Sequence, residues 1–148
     1  MNLKSALREH QRIALDTNVF IYHLDANPRY VELAETIFAW IEESGHSAVT
    51  STLTMTEILV GPYRAGDVKR ARIFRAWLSD FPHLDWTPPD LEISNDGARL
   101  RAEHRLAVVD ALQAATAIRS GATCLIGNDA TFKRVPGIEI LLLDDFVT

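Results

Sequence analysis

Four acidic residues stand where apolar, strand-like runs break off or where helices begin. Asp16 directly follows the run at 13–15, Glu57 lies within TLTMTEILVG, Asp110 opens DALQAATAIRSG, and Asp129 closes the string CLIGND. Successive acids are 41, 53 and 19 residues apart. Two like charges about 4 Å apart repel by roughly 4 kcal/mol at an effective dielectric of 20, so converging carboxylates demand a cation. An all-oxygen set suits Mg²⁺ or Mn²⁺. Zinc would prefer His and Cys, but the five histidines show no paired ligand spacing and Cys124 is the only cysteine.

Each acid also has a local explanation. Asp16 and Asp110 suit helix N-caps, accepting from a first-turn amide. Asp129 follows Asn128 in a turn, where Asx geometry accounts for it. Glu57 stands three residues after Thr54 and could complete a capping box, although Met55 and Ile58 beside it place it at a core edge. Caps alone give no reason for the four to converge.

The elements that must position these residues read as an alternation. The run at 13–15 is a buried strand ending in the polar corner Asp16-Thr17-Asn18, and a short helix follows with Val19, Phe20, Ile21, Tyr22 and Leu24. Asn27-Pro28 predicts a helix start, with Val31, Ala34, Ile37, Phe38 and Ile41 at helical spacing up to Gly45. A strand at 47–51 leads into a helix that Gly61-Pro62 is expected to end. A helix over 67–81 places Ile73, Phe74, Trp77, Leu78 and Phe81 on one face, with Lys69, Arg72 and Arg75 opposite. Residues 82–90, with Pro88-Pro89, read as a loop, and 91–104 as a helix. The helix begun by Asp110 closes at Gly121, and strands follow at 122–126 and 138–143. Short apolar strands alternating with helices predict an α/β fold of three layers, a mostly parallel sheet flanked by helices. Ligands of such sheets bind beyond the carboxyl ends of the strands, where these acids fall.

Length and charge narrow the class. The 148 residues, 47% apolar and 24% charged, suit a single domain that needs no disulfide or structural metal. Seven Gly and six Pro exclude a fibrous or disordered chain. No apolar run reaches the roughly 18 residues of a membrane span, and the charged segment at 1–12 lacks a signal-peptide core, so a cytoplasmic location is expected. Cys124, within ATCLIG, reads as a buried and inert thiol. The net charge is −5, but without the four acids 16 acidic residues face 15 basic ones. Arg64, Lys69, Arg70, Arg72 and Arg75 form one basic stripe, and Arg99, Arg101 and Arg105 a second. Either could hold phosphates beside a metal site, or be an ordinary solvated helix face.

LDTNVFIYHL, TMTEILVG and DALQAATAIRSGATCLIGNDATF, in this order, resemble the three acidic motifs of PIN-domain nucleases, most closely the VapC-type toxin ribonucleases of toxin–antitoxin pairs. The resemblance spans residues 13–146 and leaves 1–12 as an N-terminal extension. It implies a single PIN domain in which Asp16, Glu57, Asp110 and Asp129 bind Mg²⁺ or Mn²⁺ and act in catalysis, with Thr17 and Asn18 supporting them. Two positions depart from the family pattern: Gly127 stands where Thr or Ser is common, and Val109 where Pro often precedes the third acid. Asp144 and Asp145 match no family acid and read as solvated.

The activity so implied is metal-dependent hydrolysis of RNA phosphodiesters, with Asp16 or Asp110 taking the attacking water's proton. Arg64, Lys69, Arg72 and Arg75 are the candidate RNA contacts. A VapB-like antitoxin and a homodimer are implied partners. A catalytically silent PIN scaffold would keep the fold without turnover. A phosphatase of the haloacid dehalogenase type would need a second acid where Asn18 stands.

Overall fold

The computed structural model describes residues 1–148. Strands β1 (Arg12–Leu15), β2 (Ser47–Ser51), β3 (Leu84–Thr87), β4 (Cys124–Gly127) and β5 (Glu139–Leu142) are joined through helices. These are α1 (Leu3–Leu7), α2 (Thr17–Leu24), α3 (Val31–Glu42), α4 (Leu53–Arg64), α5 (Val68–Asp80), α6 (Leu91–His104) and α7 (Val108–Arg119). Short 3-10 helices occupy Ala130–Arg134 and Leu143–Phe146.

The two-residue repeat of an extended chain sends alternate side chains to opposite faces, and β1 shows the result. Ile13 and Leu15 enter a core cluster shared with α1 to α5, whereas Ala14 joins a second cluster with α6, α7 and Phe132. Both faces of the sheet are therefore covered. Ala111, Ala114 and Ala117 give α7 a face without bulk, so it packs closely on Ala14, Val49 and Leu125.

All neighbouring strands run parallel, in the order β3-β2-β1-β4-β5. Ile13 pairs with Ala48 on one side and Cys124 on the other. From β1 the chain builds outward to β2 and β3, then crosses to β4 and β5 on the other side of β1. That reversal opens a crevice between the carboxyl ends of β1 and β4, the topological switch point of an open parallel sheet. At the opposite edge Arg12 fastens the layers, donating to the Ser120 carbonyl at 2.7 Å, Ser47 Oγ at 3.0 Å and Asp85 Oδ2 at 2.9 Å.

Several sequence expectations need correction. Asn27-Pro28 forms an Asx turn, with Asn27 Oδ1 accepting from the Arg29 amide, and α3 begins at Val31 after Tyr30. Gly61-Pro62 does not end α4, which runs on to Arg64 with Pro62 buried on its inner side. Proline costs a helix one amide donor, and here the loss falls in the final turn. Ile73 points to solvent, 57% exposed, while Ala71, Phe74 and Leu78 form the buried face of α5. The segment expected to be a loop at 82–90 contains edge strand β3. Helix α7 starts at Val108 with Ala107 as its cap, so Asp110 is its third residue rather than its first. Gly121 does close α7, its φ of +77° being open to glycine at little cost. The extension at 1–12 is integral to the core, with Leu3, Ala6 and Leu7 buried. No helix is long and apolar enough to cross a membrane.

Candidate active site

Asp16 continues β1 into the crevice: its amide donates to the Ile126 carbonyl at 2.9 Å, extending the β1–β4 ladder to the corner. It occupies the N-cap position of α2, yet its side chain makes no capping hydrogen bond. No helix-capping bond therefore engages the carboxylate, although the residue is only 7% exposed. Burial pushes its pKa from the usual 3.8 up to about 7. The Thr17 backbone pulls the other way, and the charges of Asp110, Glu57 and Asp129 add to the rise.

Asp110 is half-buried in the first turn of α7. Burial again raises its pKa, followed by the fields of Asp129 and Glu57. Glu57 is exposed on α4 and takes no part in a capping box, because the cap of α4 is Thr52. Its Oε1 instead accepts the Thr17 hydroxyl at 2.6 Å. Asp129 is exposed, and its Oδ1 accepts the Thr131 amide at 2.9 Å, so the expected Asx turn is present. Turn-forming does not remove Asp129 from the site, since its charge acts on both Asp16 and Asp110.

The four acids therefore share one electrostatic environment at the switch point. No three His, Cys, Asp or Glu side chains stand in a ready ligating arrangement. Like charges without a cation gain by turning apart, and Glu57 and Asp129 are each held by a local hydrogen bond. The donor set nevertheless fits a hard divalent cation: every acid is an oxygen donor, and one is buried, uncapped and surrounded by its own charge type.

The supporting side chains divide unevenly. Thr17, 5% exposed, bonds to Glu57, whereas Asn18 is half-buried and takes no part in these bonds. Asn128, which the sequence places only in the turn before Asp129, has a structural role. Its Nδ2 donates to the Tyr22 hydroxyl at 3.2 Å and its Oδ1 accepts the Asp144 amide at 2.9 Å, tying the β4 corner to α2 and the C-terminal turn. Gly127 lies close beneath Asp16, where a Cβ would stand 3.2 Å from Asp16 Cβ and 3.4 Å from Phe132 Cε2. A serine or threonine here would have to displace one of them.

Among the residues of the first basic stripe, Arg70 lines a cavity together with one of the acids. It shares this cavity of about 260 Å³ with Glu57, Asp25 and Phe74, pairs with Asp25 at 3.2 Å and covers the Phe74 ring. Arg64, Lys69, Arg72 and Arg75 are all exposed but do not line that cavity. In the second stripe, Arg101 donates to the Leu106 carbonyl at 2.7 Å and Arg105 ends α6 in the left-handed region. Cys124 is buried, which drives its thiol pKa well above the ordinary range. Asp144 and Asp145 are exposed, as expected.

The PIN domain family model matches residues 13–138, from within the first strand to past the fourth acid. The chain is a member of the PIN domain family. Solved structures of similar fold include VapBC bound to DNA from Salmonella typhimurium, with 20% identity, TM-score 0.70 and coverage of 89% of this chain and 98% of that one. VapBC2 of Rickettsia felis bound to promoter DNA is 20% identical, with TM-score 0.64 over 88% of this chain and 98% of that one. VapC20 of Mycobacterium tuberculosis, described as a sarcin-ricin loop cleaving toxin, is 15% identical, with TM-score 0.68 over 86% and 97%. At these identities the likeness concerns the fold. No protein of curated function matches the sequence closely enough to count as a relative. In this PIN domain, then, the charges of Glu57, Asp110 and Asp129 all act on Asp16, and those of Glu57 and Asp129 act on Asp110.

Proposed function

We propose that this PIN domain is a metal-dependent endoribonuclease, the toxin of a toxin–antitoxin pair. The observation that carries the reading is the buried, uncapped Asp16 at the switch point with Glu57, Asp110 and Asp129 around it. A purely structural acid would be capped, paired or solvated. Asp16, Glu57, Asp110 and Asp129 would hold Mg²⁺ or Mn²⁺. Such an ion, when bound, supplies charge neutralisation at the scissile phosphate and activation of water.

The chain's own residues do the rest. Asp16 and Asp110, whose proton affinity is raised, are the candidates to accept the attacking water's proton. Thr17 holds Glu57 in one orientation. Arg70 beside Glu57, and the exposed Arg64, Lys69, Arg72 and Arg75, would contact RNA phosphates. A VapB-like antitoxin is the expected protein partner, a reading supported by fold relatives solved as VapBC or toxin–antitoxin complexes. A homodimer would cover the apolar face of α4, where Val60 and Tyr63 are 39% and 56% exposed.

The test is cleavage of RNA by the purified chain with Mg²⁺ or Mn²⁺ and with EDTA. Metal-dependent cleavage lost in Asp16→Asn and Asp110→Asn supports the assignment. Full activity in either variant, or equal activity in EDTA, overturns it. Absence of cleavage by the wild type returns the chain to the silent-scaffold reading.

A further inference from the structure

A chain of buried hydrogen bonds runs beneath the acids and joins three of the four elements that carry them. Thr50 donates to the Leu15 carbonyl at 2.8 Å, immediately before Asp16. Thr50 and Thr54 hydroxyls lie 2.7 Å apart, Gln113 Nε2 donates to Thr54 Oγ1 at 2.6 Å, and Gln113 Oε1 accepts the Ser51 amide at 3.3 Å. Thr50, Ser51, Thr54 and Gln113 are all at most 2% exposed.

Proton accounting fixes the direction of the chain. The Ser51 amide can only donate, so Gln113 must turn its oxygen there and its NH₂ toward Thr54. A carbonyl can only accept, so the Thr50 hydrogen goes to Leu15. The hydrogen between the two hydroxyls must then come from Thr54. Thr17 alone keeps a choice, Glu57 Oε1 at 2.6 Å or Thr54 Oγ1 at 3.2 Å, and the shorter contact takes it. Thr54 is thus the shared node, and Gln113 is the group that holds it as an acceptor.

The spacing gives this chain a function. Gln113 is three residues after Asp110 on α7, and Thr54 three before Glu57 on α4, so each lies on the same helix face as its acid. We propose that Gln113, acting through Thr54, is the positioning residue that sets the separation of Glu57 and Asp110 for a divalent cation. This rests on the metal reading of the proposed function. Asp129 is outside the chain, held only by its own turn.

The test is Mn²⁺ binding to the purified chain by isothermal titration calorimetry, with urea unfolding of the same metal-free samples. Gln113→Leu and Thr54→Val are expected to weaken Mn²⁺ binding by up to about 10-fold, the low end of the cost of losing a direct outer partner of a metal ligand, because the two side chains reach Asp110 and Glu57 only through α7 and α4. Thr54→Ser, which keeps the hydroxyl, should stay close to wild type. Ile37→Val, a change in the distant main core, should lower stability without altering Mn²⁺ affinity. Should Gln113→Leu not fold, the Thr54 pair decides alone. Wild-type affinity in Thr54→Val, or equal losses in Thr54→Ser and Thr54→Val, overturns the role of the hydroxyl chain while leaving the metal reading intact. A wild type that takes up no Mn²⁺ overturns both.

Discussion

Burial and three neighbouring carboxylates act on Asp16 in the same direction, and the consequence is measurable without any substrate. Between pH about 4 and about 7 the folded chain keeps a proton on Asp16 that the unfolded chain has already released. Unfolding therefore liberates a proton in that window, and metal-free stability falls as the pH rises through it. The displacement from 3.8 to about 7 corresponds to about 4 kcal/mol, present in full below the window and lost above it. Asp110 moves in the same direction and adds to the slope. Asp16→Asn should be more stable than wild type at pH 8 in EDTA and should flatten the fall. Urea unfolding at pH 5 and pH 8 measures both, and identical pH slopes in the two proteins would contradict the burial argument.

At the scale of elements, most helices and the inner strands were legible from their apolar spacing. Helix α6 matches its expected range of 91–104, and Asp16 and Asp129 directly follow or lie just past strands β1 and β4, whereas Asp110 sits one turn inside its helix. Strand β3 was not legible: it is four residues long, lies at the sheet edge and buries only Leu84, so it lacks an apolar run. The start of α7 is not legible in the same way, because Asp110 is a plausible cap by residue type, whereas the extended backbone of Ala107 provides the boundary. Gln113 was invisible for another reason. An amide in an alanine-rich helix gains meaning only when α4 and β2 are packed against it. The turn carrying Asp129 depends on packing in the same way, because Phe132 is fully buried below Gly127. Phe132→Ala should cost about 3–5 kcal/mol and loosen Asp129, so that metal-dependent cleavage per folded molecule also falls. An unfolding midpoint and a cleavage rate corrected for the folded fraction check the two parts separately.

Across the whole molecule, chemistry and anchoring occupy opposite edges of one sheet. The acids lie beyond the carboxyl ends of β1 and β4, while Arg12 and the extension at 1–12 secure the amino ends. The family match begins at residue 13, but α1 contributes Leu3, Ala6 and Leu7 to the main core. His10 completes the attachment, with Nδ1 2.6 Å from Thr123 Oγ1 and Nε2 3.6 Å from Glu139. Four residues of β1 separate this anchor from Asp16, a span of roughly 13 Å at the rise of an extended strand. Over that distance a core defect should lower the stability of the fold as a unit without shifting one acid relative to another. Leu7→Ala, at a position with no exposed surface, should therefore cost about 2–5 kcal/mol in urea unfolding. Cleavage per folded molecule and Mn²⁺ affinity should both remain at wild-type values. A loss of Mn²⁺ affinity in folded Leu7→Ala, comparable to that in Gln113→Leu, would mean that the two edges are not mechanically separate.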